Sequence, residues 1–212
     1  MRQTPDVAND HMTMPTLQET IQHHSSQPLS DERKEVLRPL IAYVQSKLYA
    51  QAEIRLNFIC THNSRRSQFA QIWAHAAAHF HHVPAKCFSG GVEVTAFNER
   101  AVRTIHSQGF LVEKEGEGNP IYHVKVSEEA AALPMFSKLY DDPMHPTTGF
   151  AAVMTCSHAD ENCPFIPGAE KRIPVRYDDP KAFDDTPLEQ AKYTERSLEI
   201  GAEMWYVFSQ VK

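Results

Sequence analysis

From position 30 onward, apolar residues recur at spacings that predict alternating helices and strands. The first helical pattern opens at Ser30, after which apolar side chains repeat three and four positions apart. These apolar residues are Val36, Leu37, Leu40, Ile41, Val44 and Leu48. Pro39 lies inside the pattern and predicts a kink or a break near Arg38, because proline lacks the N–H that an inner helical turn needs. Residues 1 to about 28 show little periodicity, so we expect a loose or partly docked arm.

Two short apolar segments predict neighbouring strands, each followed by a helix. Residues 54–59 (IRLNFI) predict a buried first strand, and after a polar turn a helix begins at about Ser67. A second strand ends at 87–89 (CFS), and the glycine pair at 90–91 predicts the turn after it. Residues 98–109 predict the next helix.

The second half of the chain continues the alternation. It predicts strands at 121–126, 150–155 and 173–176, loops at 113–120, 140–149 and 157–171, and a final helix from 187 or 188 to 208. Alternating strands and helices predict an α/β fold, a single parallel sheet flanked by helices on both faces. We expect residues 1–50 to form an N-terminal helical arm and residues 51–212 to form the α/β domain.

Composition narrows the class of protein. The 212 residues are 42% hydrophobic and 23% charged, which is ordinary for a globular domain with a full core. A net charge of −6 argues against a nucleic-acid binder. No apolar run approaches the roughly 20 residues of a membrane span, and the N-terminus has no apolar segment of a secretion signal. We therefore expect a cytoplasmic protein that acts away from membranes.

Four cysteines are too few and too scattered for a disulfide scaffold. They are Cys60, Cys87, Cys156 and Cys163. In a reducing compartment such cysteines are catalytic, metal-binding or simply buried. We expect Cys87 to be a core residue.

The segment after the first strand has the pattern of an anion-binding loop. It reads Cys60, Thr61, His62, Asn63, Ser64, Arg65, Arg66 and Ser67. Five residues between Cys60 and Arg66 can curl so that their N–H groups point at one tetrahedral anion, beside the positive end of a helix. Arg66 adds a planar fork, and Ser67 can donate to the sulfur. The same positive field favours a thiolate nucleophile, and Asn63 readily adopts the positive φ that a curl needs.

The alternative for Cys60 is a buried structural cysteine beside two solvated arginines, which the strand–loop–helix context disfavours. The segment FICTHNSRRSQFAQ resembles the active-site loop of the low-molecular-weight protein tyrosine phosphatases and of the thioredoxin-coupled arsenate reductases built on the same fold. The resemblance implies that Cys60 is the nucleophile and Arg66 the anion clamp. The family usually has glycine where this chain has His62, and an uncharged residue where it has Arg65. The resemblance covers about residues 54–112 and 150–210.

Cys156 and Cys163 lie seven positions apart in CSHADENCP. From the residues alone they are a strand-end cysteine and an incidental loop cysteine, a partial zinc site with His158, or a redox pair. The segment is similar to the redox segment of the thioredoxin-coupled arsenate reductases, which the plain phosphatases lack. That resemblance implies a relay: Cys60 attacks arsenate, Cys156 attacks the adduct, Cys163 takes over the disulfide, and thioredoxin reduces it.

A leaving oxygen needs a proton donor, and the motif YDDP at 177–180 resembles the family's acid loop. The resemblance implies that Asp179 is the acid. The alternative is a solvated acidic turn, and the similar motifs at 141–143 and 183–187 are competitors.

No metal or other cofactor is predicted. Gln71 stands where some reductases of this family have a glutamate near potassium, so we predict no potassium site. A cluster of histidines at 75–82 is better explained as a solvated helix end than as a metal site.

Three functions remain open from the sequence. The first is an arsenate reductase that a thioredoxin or similar thiol donor recharges. The second is a phosphatase of phosphotyrosine or aryl phosphates, and the third is a non-catalytic anion or redox sensor. The cysteine pair favours the first over the second, and the nucleophile, clamp and acid together favour an enzyme over a sensor.

Overall fold

The computed structural model describes residues 15–25, 28–162 and 165–212. The helices in this part of the chain are α1 (Leu17–Ser25), α2 (Asp31–Tyr49), α3 (Arg66–Phe80), α4 (Glu99–Ser107), α5 (Ser157–Asn162) and α6 (Glu189–Ser209), with a 3₁₀ helix at Pro180–Phe183. The strands are β1 (Ile54–Cys60), β2 (Ala85–Gly91), β3 (Leu111–Glu115), β4 (Ile121–Lys125), β5 (Leu133–Met135), β6 (Phe150–Met154) and β7 (Ala169–Pro174).

Four parallel strands form the central sheet in the order β2-β1-β6-β7. The central strands β1 and β6 are almost continuously buried, as expected for parallel strands with both faces covered. In β6, Ala151 and Val153 face the main core, whereas Phe150, Ala152 and Met154 face a smaller cluster with Cys60 and Cys156. The predicted α/β class, with a parallel sheet flanked by helices, is confirmed.

The main core lies between the sheet and the helices α2, α3 and α6. Trp73 of α3 packs directly on Gly201 of α6, where a Cβ atom would come within 2.8 Å of the indole ring. The indole N–H of Trp73 donates to Ser197 at 3.0 Å. The long C-terminal helix is therefore fixed against the helix that follows the anion-binding loop.

The predicted N-terminal helical arm is present as α1 and α2. The predicted arm contains α1, whose Leu17 and Ile21 are buried in the main core. A kink or a break was predicted near Arg38, and the break does not occur, because α2 runs unbroken through Pro39. Pro39 and Glu35 lie on the exposed face, where water can bind the Glu35 carbonyl that proline leaves without a helical donor.

A second, antiparallel sheet in the order β3-β4-β5 was not predicted. Its first strand covers part of the expected loop at 113–120, since the acidic, glycine-rich residues there form an exposed strand and its turn. Tyr122 and Val124 of β4 are buried in the main core and attach this sheet to it. The rings of Tyr122 and Phe97 pack edge to face, with their centres 5.6 Å apart.

Two further expectations were wrong in detail. The glycines at 90–91 belong to β2, where they pair with the end of β1. The backbone of Tyr140 passes so close to Gly90 that a Cβ atom would lie 2.3 Å away, which requires glycine there. The expected loop at 157–171 contains α5 and the start of β7. None of the helices in the described ranges is long and apolar enough to cross a membrane.

Candidate active site

Cys60 ends the buried central strand β1 and lies at the entrance to the loop that leads into α3. Its side chain is only 4% exposed. The Ser67 hydroxyl, in the first turn of α3, lies 3.0 Å from the sulfur. A hydroxyl at this distance can donate to a thiolate and stabilise its charge.

Asn63 organises the loop from inside. Its φ of +46° lies in the left-handed region that this residue type tolerates, and it is fully buried. Its amide nitrogen donates to the hydroxyls of Ser67 and Ser89, each at 2.9 Å, and its carbonyl oxygen accepts from the Lys138 amide at 3.0 Å. The Ser89 hydroxyl in turn donates to Gln71 at 2.6 Å. One side chain therefore connects the loop to α3, to β2 and to the segment before Tyr140.

The carbonyl groups of the loop are all bound on its outer side. Glu93 N–H donates to Thr61 O at 2.9 Å, the Ser137 hydroxyl to His62 O at 2.9 Å, the Gln68 amide to Asn63 O at 2.8 Å and Asn98 N–H to Ser64 O at 3.0 Å. Within the described ranges, no protein group accepts from the backbone N–H groups of residues 62–67. A run of unpaired N–H groups at a helix N-terminus is the arrangement that binds anions.

The two arginines of the loop have different partners. Arg66 donates to the Tyr177 carbonyl at 3.0 Å and to an Asp179 carboxylate oxygen at 2.8 Å, and its side chain is 13% exposed. Arg65 instead donates to the Tyr193 hydroxyl on α6 at 2.8 Å and lies 3.6 Å from Asp184. Arg66 therefore contacts the candidate acid, whereas Arg65 contacts Tyr193 and Asp184 instead.

Among the three aspartate motifs, only the one at 177–180 contacts Arg66 within the described ranges. Asp179 also caps the 3₁₀ helix by accepting from the Lys181 amide at 3.1 Å. Its neighbour Asp178 is 98% exposed and lies 3.6 Å from Arg196. Asp142 bonds within its own loop, to the Met144 amide, and Asp184 contacts Arg65.

Cys156 is fully buried just before α5, in the same small apolar cluster as Cys60. Its sulfur lies 3.5 Å from the Thr61 hydroxyl and accepts from the Ala159 amide at 3.4 Å. Thr61, which follows Cys60 in the chain, therefore contacts Cys156 at the end of the sheet. Cys163, the other member of the pair, lies outside the described residues.

The remaining cysteine has the character of a core residue. Cys87 is buried in the main core, and burial raises the pKa of its thiol to about 12. Its carbonyl accepts from Gln71 at 2.9 Å, so both ends of the Gln71 amide are bound by protein groups. Among the described residues, no group of three or more His, Cys, Asp or Glu side chains is arranged to hold a metal ion.

Several side chains at the site have no sequence motif that would have identified them. Ser137 and Lys138 come from the segment 113–149, to which the sequence assigned no role, and His158 lies 3.3 Å from the Thr61 hydroxyl. A groove of about 460 Å³ borders the outer side of the loop; its lining includes His62, Ser64, Arg65, Thr95, Asn98 and Lys181. Such contacts join positions far apart in the chain, and only the fold brings them together.

Comparison with known proteins adds independent information. No family model matches the sequence. An arsenate reductase 2 from Staphylococcus epidermidis is 28% identical over 123 residues, which cover 58% of this chain and 76% of that relative. An arsenate reductase from Bacillus licheniformis is 26% identical over 141 residues, 66% of this chain and 83% of that relative. The crystal structure of a YwlE mutant from Bacillus subtilis covers 74% of this chain and 98% of its own, with a TM-score of 0.50 and 14% identity, which shows a shared fold.

Proposed function

Because the chain belongs to the superfamily of the low-molecular-weight protein tyrosine phosphatases and the arsenate reductases built on their fold, we propose that it is an arsenate reductase. Both branches of this superfamily are enzymes. The observation that carries the choice is the burial of a second cysteine, Cys156, beside the anion-binding loop of Cys60. Hydrolysis of a phosphoester needs only one nucleophile, whereas reduction of arsenate needs two thiols to supply two electrons.

The first step in this proposal is capture of the oxyanion. The unpaired N–H groups of residues 62–67 and the guanidinium of Arg66 supply donors for its oxygens. The Asp179 carboxylate accepts one hydrogen bond from that guanidinium, so an incoming oxyanion competes with it. Displacement of Asp179 from Arg66 would leave its carboxyl group beside the substrate, where a proton donor is needed.

Covalent chemistry follows at Cys60. Its thiolate attacks arsenic and a water leaves, with Asp179 as the proton donor and Ser67 as the hydroxyl that stabilises the sulfur charge. The Cys156 thiolate then attacks the Cys60 sulfur. The S–As bond breaks, its electron pair stays on arsenic, arsenite leaves, and Cys60 and Cys156 are joined as a disulfide.

The relay ends at Cys163 and an external thiol donor such as thioredoxin. Cys163 attacks Cys156 and releases Cys60 as a thiolate. The six-residue helix α5 lies between the two cysteines in sequence and rises about 9 Å. A disulfide needs Cα atoms about 4.4–6.8 Å apart, so this step requires α5 to unwind. Unwinding would carry the new disulfide toward solvent, where a donor can reach it.

The test compares two activities in matched variants. We expect Cys60→Ser to lose both thioredoxin-coupled arsenate reduction and hydrolysis of p-nitrophenyl phosphate. Cys156→Ser should lose arsenate reduction by at least about a hundredfold and keep aryl-phosphate hydrolysis, because only reduction needs the second thiol. Cys87→Ala, which removes a buried thiol outside the site, should keep both activities. Intact arsenate reduction in Cys156→Ser would rule the relay out.

The alternative function is a phosphatase for aryl phosphates or phosphotyrosine. The contact between Arg66 and Asp179 beside the Cys60 loop is compatible with it, because hydrolysis of a phosphoester needs only a nucleophile, an anion clamp and an acid. Wild-type protein that hydrolyses aryl phosphates but reduces no arsenate with thioredoxin would select this function.

A further inference from the structure

A buried charged cluster connects the N-terminal helix α2 to the segment that carries Asp179. Glu203 of α6 is only 1% exposed, and both its carboxylate oxygens accept from Arg33 of α2, at 2.6 and 2.7 Å. The Tyr177 hydroxyl donates to the same carboxylate at 2.7 Å. Arg33 also lies over the Tyr177 ring, with its guanidinium carbon 5.3 Å from the ring centre. Charges buried this deeply are tolerated only with such complete pairing.

Tyr177 is the junction between this cluster and the candidate active site. Its backbone carbonyl accepts from Arg66 at 3.0 Å, and Asp179 follows two residues later. Its backbone N–H donates to Thr155, the neighbour of Cys156, at 3.1 Å. Burial and the Glu203 carboxylate raise the pKa of its hydroxyl well above the usual range, so Tyr177 stays a neutral hydrogen-bond donor. One residue therefore contacts the clamp and the strand end that carries Cys156, and lies two residues before the acid.

We propose that Arg33 and Glu203 are positioning residues that act through Tyr177 to hold Arg66 and Asp179 in register. In this proposal α2, which precedes the first strand, completes the active site from outside. None of the three side chains touches the reacting atoms. The proposal rests on the roles proposed above for Arg66 and Asp179. The competing explanation is that the cluster only adds stability.

The informative variant removes the whole cluster without leaving a buried charge. In Arg33→Met/Glu203→Met/Tyr177→Phe, apolar side chains of similar size replace the ion pair and its hydroxyl donor. Such replacements are often neutral for folding or even stabilising, whereas loss of one partner alone is strongly destabilising. Tyr177→Phe alone loses one hydroxyl and serves as the milder variant if the triple variant does not fold. Val44→Ala, a buried truncation on the same helix, is the matched control for stability.

The readout is the dependence of kcat/KM on the leaving group in a series of aryl phosphates. Displacement of the acid lowers kcat/KM only for substrates whose leaving group needs a proton. We expect the triple variant to lose about tenfold with phenyl phosphate, since small misplacements of catalytic groups carry large penalties. With p-nitrophenyl phosphate the loss should stay under about twofold. Val44→Ala should lower the melting temperature and leave the ratio between the two substrates unchanged. An unchanged ratio in the folded triple variant overturns the proposal.

A second measurement needs no activity at all. Hydrogen exchange of the peptide at 175–181 should be faster in the triple variant and in Tyr177→Phe, but not in Val44→Ala beyond its global change. If wild-type protein neither hydrolyses aryl phosphates nor reduces arsenate, the proposed function fails, yet exchange still decides whether the cluster holds this segment. Exchange at 175–181 that matches wild type in both variants overturns the positioning role.

Discussion

At the scale of single residues, the candidate site depends on how polar groups divide between the two sides of one loop. The carbonyl groups of residues 61–64 are bound outward by neighbouring segments. Asn63, at a φ of +46°, makes this curl possible and ties it to Ser67 and Ser89. The unpaired N–H groups are therefore a consequence of the packing around the loop, and no anion is needed to hold them in place.

Asp179 provides a prediction at this scale, since its carboxylate occupies the clamp. In a Cys60→Ser background, Asp179→Asn should bind phosphate or arsenate about three- to tenfold more tightly, because the oxyanion no longer competes with a carboxylate for Arg66. In otherwise wild-type protein, the same change should lower hydrolysis of phenyl phosphate by about a hundredfold, through loss of the acid. Titration calorimetry and steady-state kinetics measure the two effects.

The control for this prediction is the neighbouring aspartate. Asp178 is 98% exposed and lies 3.6 Å from Arg196, so Asp178→Asn should change neither oxyanion affinity nor turnover more than about twofold. Equal oxyanion affinity in Cys60→Ser and in Cys60→Ser/Asp179→Asn would mean that the carboxylate does not compete for Arg66.

At the scale of elements, the sequence predicted the strands and helices that a short-range apolar pattern encodes. β1 and β6 are unbroken apolar runs, and the α/β class follows from them. Several features escaped: β3 has no buried side chain, α5 is short and polar, α1 and β5 lie in segments without a clear period, and the glycines at 90–91 extend β2 where a turn was expected. The loop from Cys60 to Ser67 is one continuous segment, so its motif could be recognised from the sequence alone. Its supports at Ser137, Lys138 and Tyr177 depend on tertiary packing, which no local pattern records.

Helix α5 carries the prediction at this scale, because the proposed relay requires it to unwind. Asp160 is buried, and its carboxylate is paired with Arg172 and Arg176, the latter donating through Nε at 2.7 Å. These bonds hold α5 against β7 and the segment after it. In Asp160→Asn, with the buried charge pairing lost, we expect the Cys156–Cys163 disulfide to form several-fold more readily in a glutathione redox buffer. Global stability should also fall, by about 1–2 kcal/mol, since hydrogen bonds to a charged group are lost while both arginines remain partly exposed.

The matched control lies one residue further along α5. Glu161 is exposed, and its ion pair with Arg176 is long at 3.9 Å. Glu161→Gln should therefore leave both the disulfide equilibrium and the unfolding midpoint close to wild type. If Asp160→Asn also keeps the wild-type equilibrium, Asp160 does not restrain the relay helix.

At the scale of the whole molecule, the candidate site lies where separate parts of the fold meet. β1 supplies Cys60, β6 leads to Cys156, and the segment after β7 supplies Asp179. All three strands are parallel, so their carboxyl ends share one edge of the sheet, the position where α/β proteins bind ligands. Two outer parts of the fold contact this edge. The α2 helix reaches it through the Arg33–Glu203 pair, which binds Tyr177. The link from the antiparallel sheet to β6 reaches it through the Lys138 amide, which donates to Asn63.

Lys138 makes the folding stability of the whole molecule depend on alkaline pH. It is only 4% exposed, its ammonium group donates to the Phe136 carbonyl at 3.1 Å, and burial lowers the pKa of this lysine to about 8. In the unfolded chain a lysine has a pKa of about 10.4, so between about pH 8 and pH 10 the unfolded state binds more protons than the folded state. The Lys138 contribution to the free energy of unfolding therefore increases as the pH rises through this window.

Lys138→Met isolates this contribution, because it keeps an unbranched apolar side chain and removes the ammonium group. Urea unfolding at pH 7 and pH 10 should show the free energy of unfolding of wild type rising relative to that of the variant, by about 2 kcal/mol at most. Other groups titrate over the same range in both proteins, so only the difference between their free energies of unfolding reports the contribution of Lys138. A difference that stays constant from pH 7 to pH 10 would show that Lys138 remains charged in the folded protein, and that the segment beside Asn63 admits water to it.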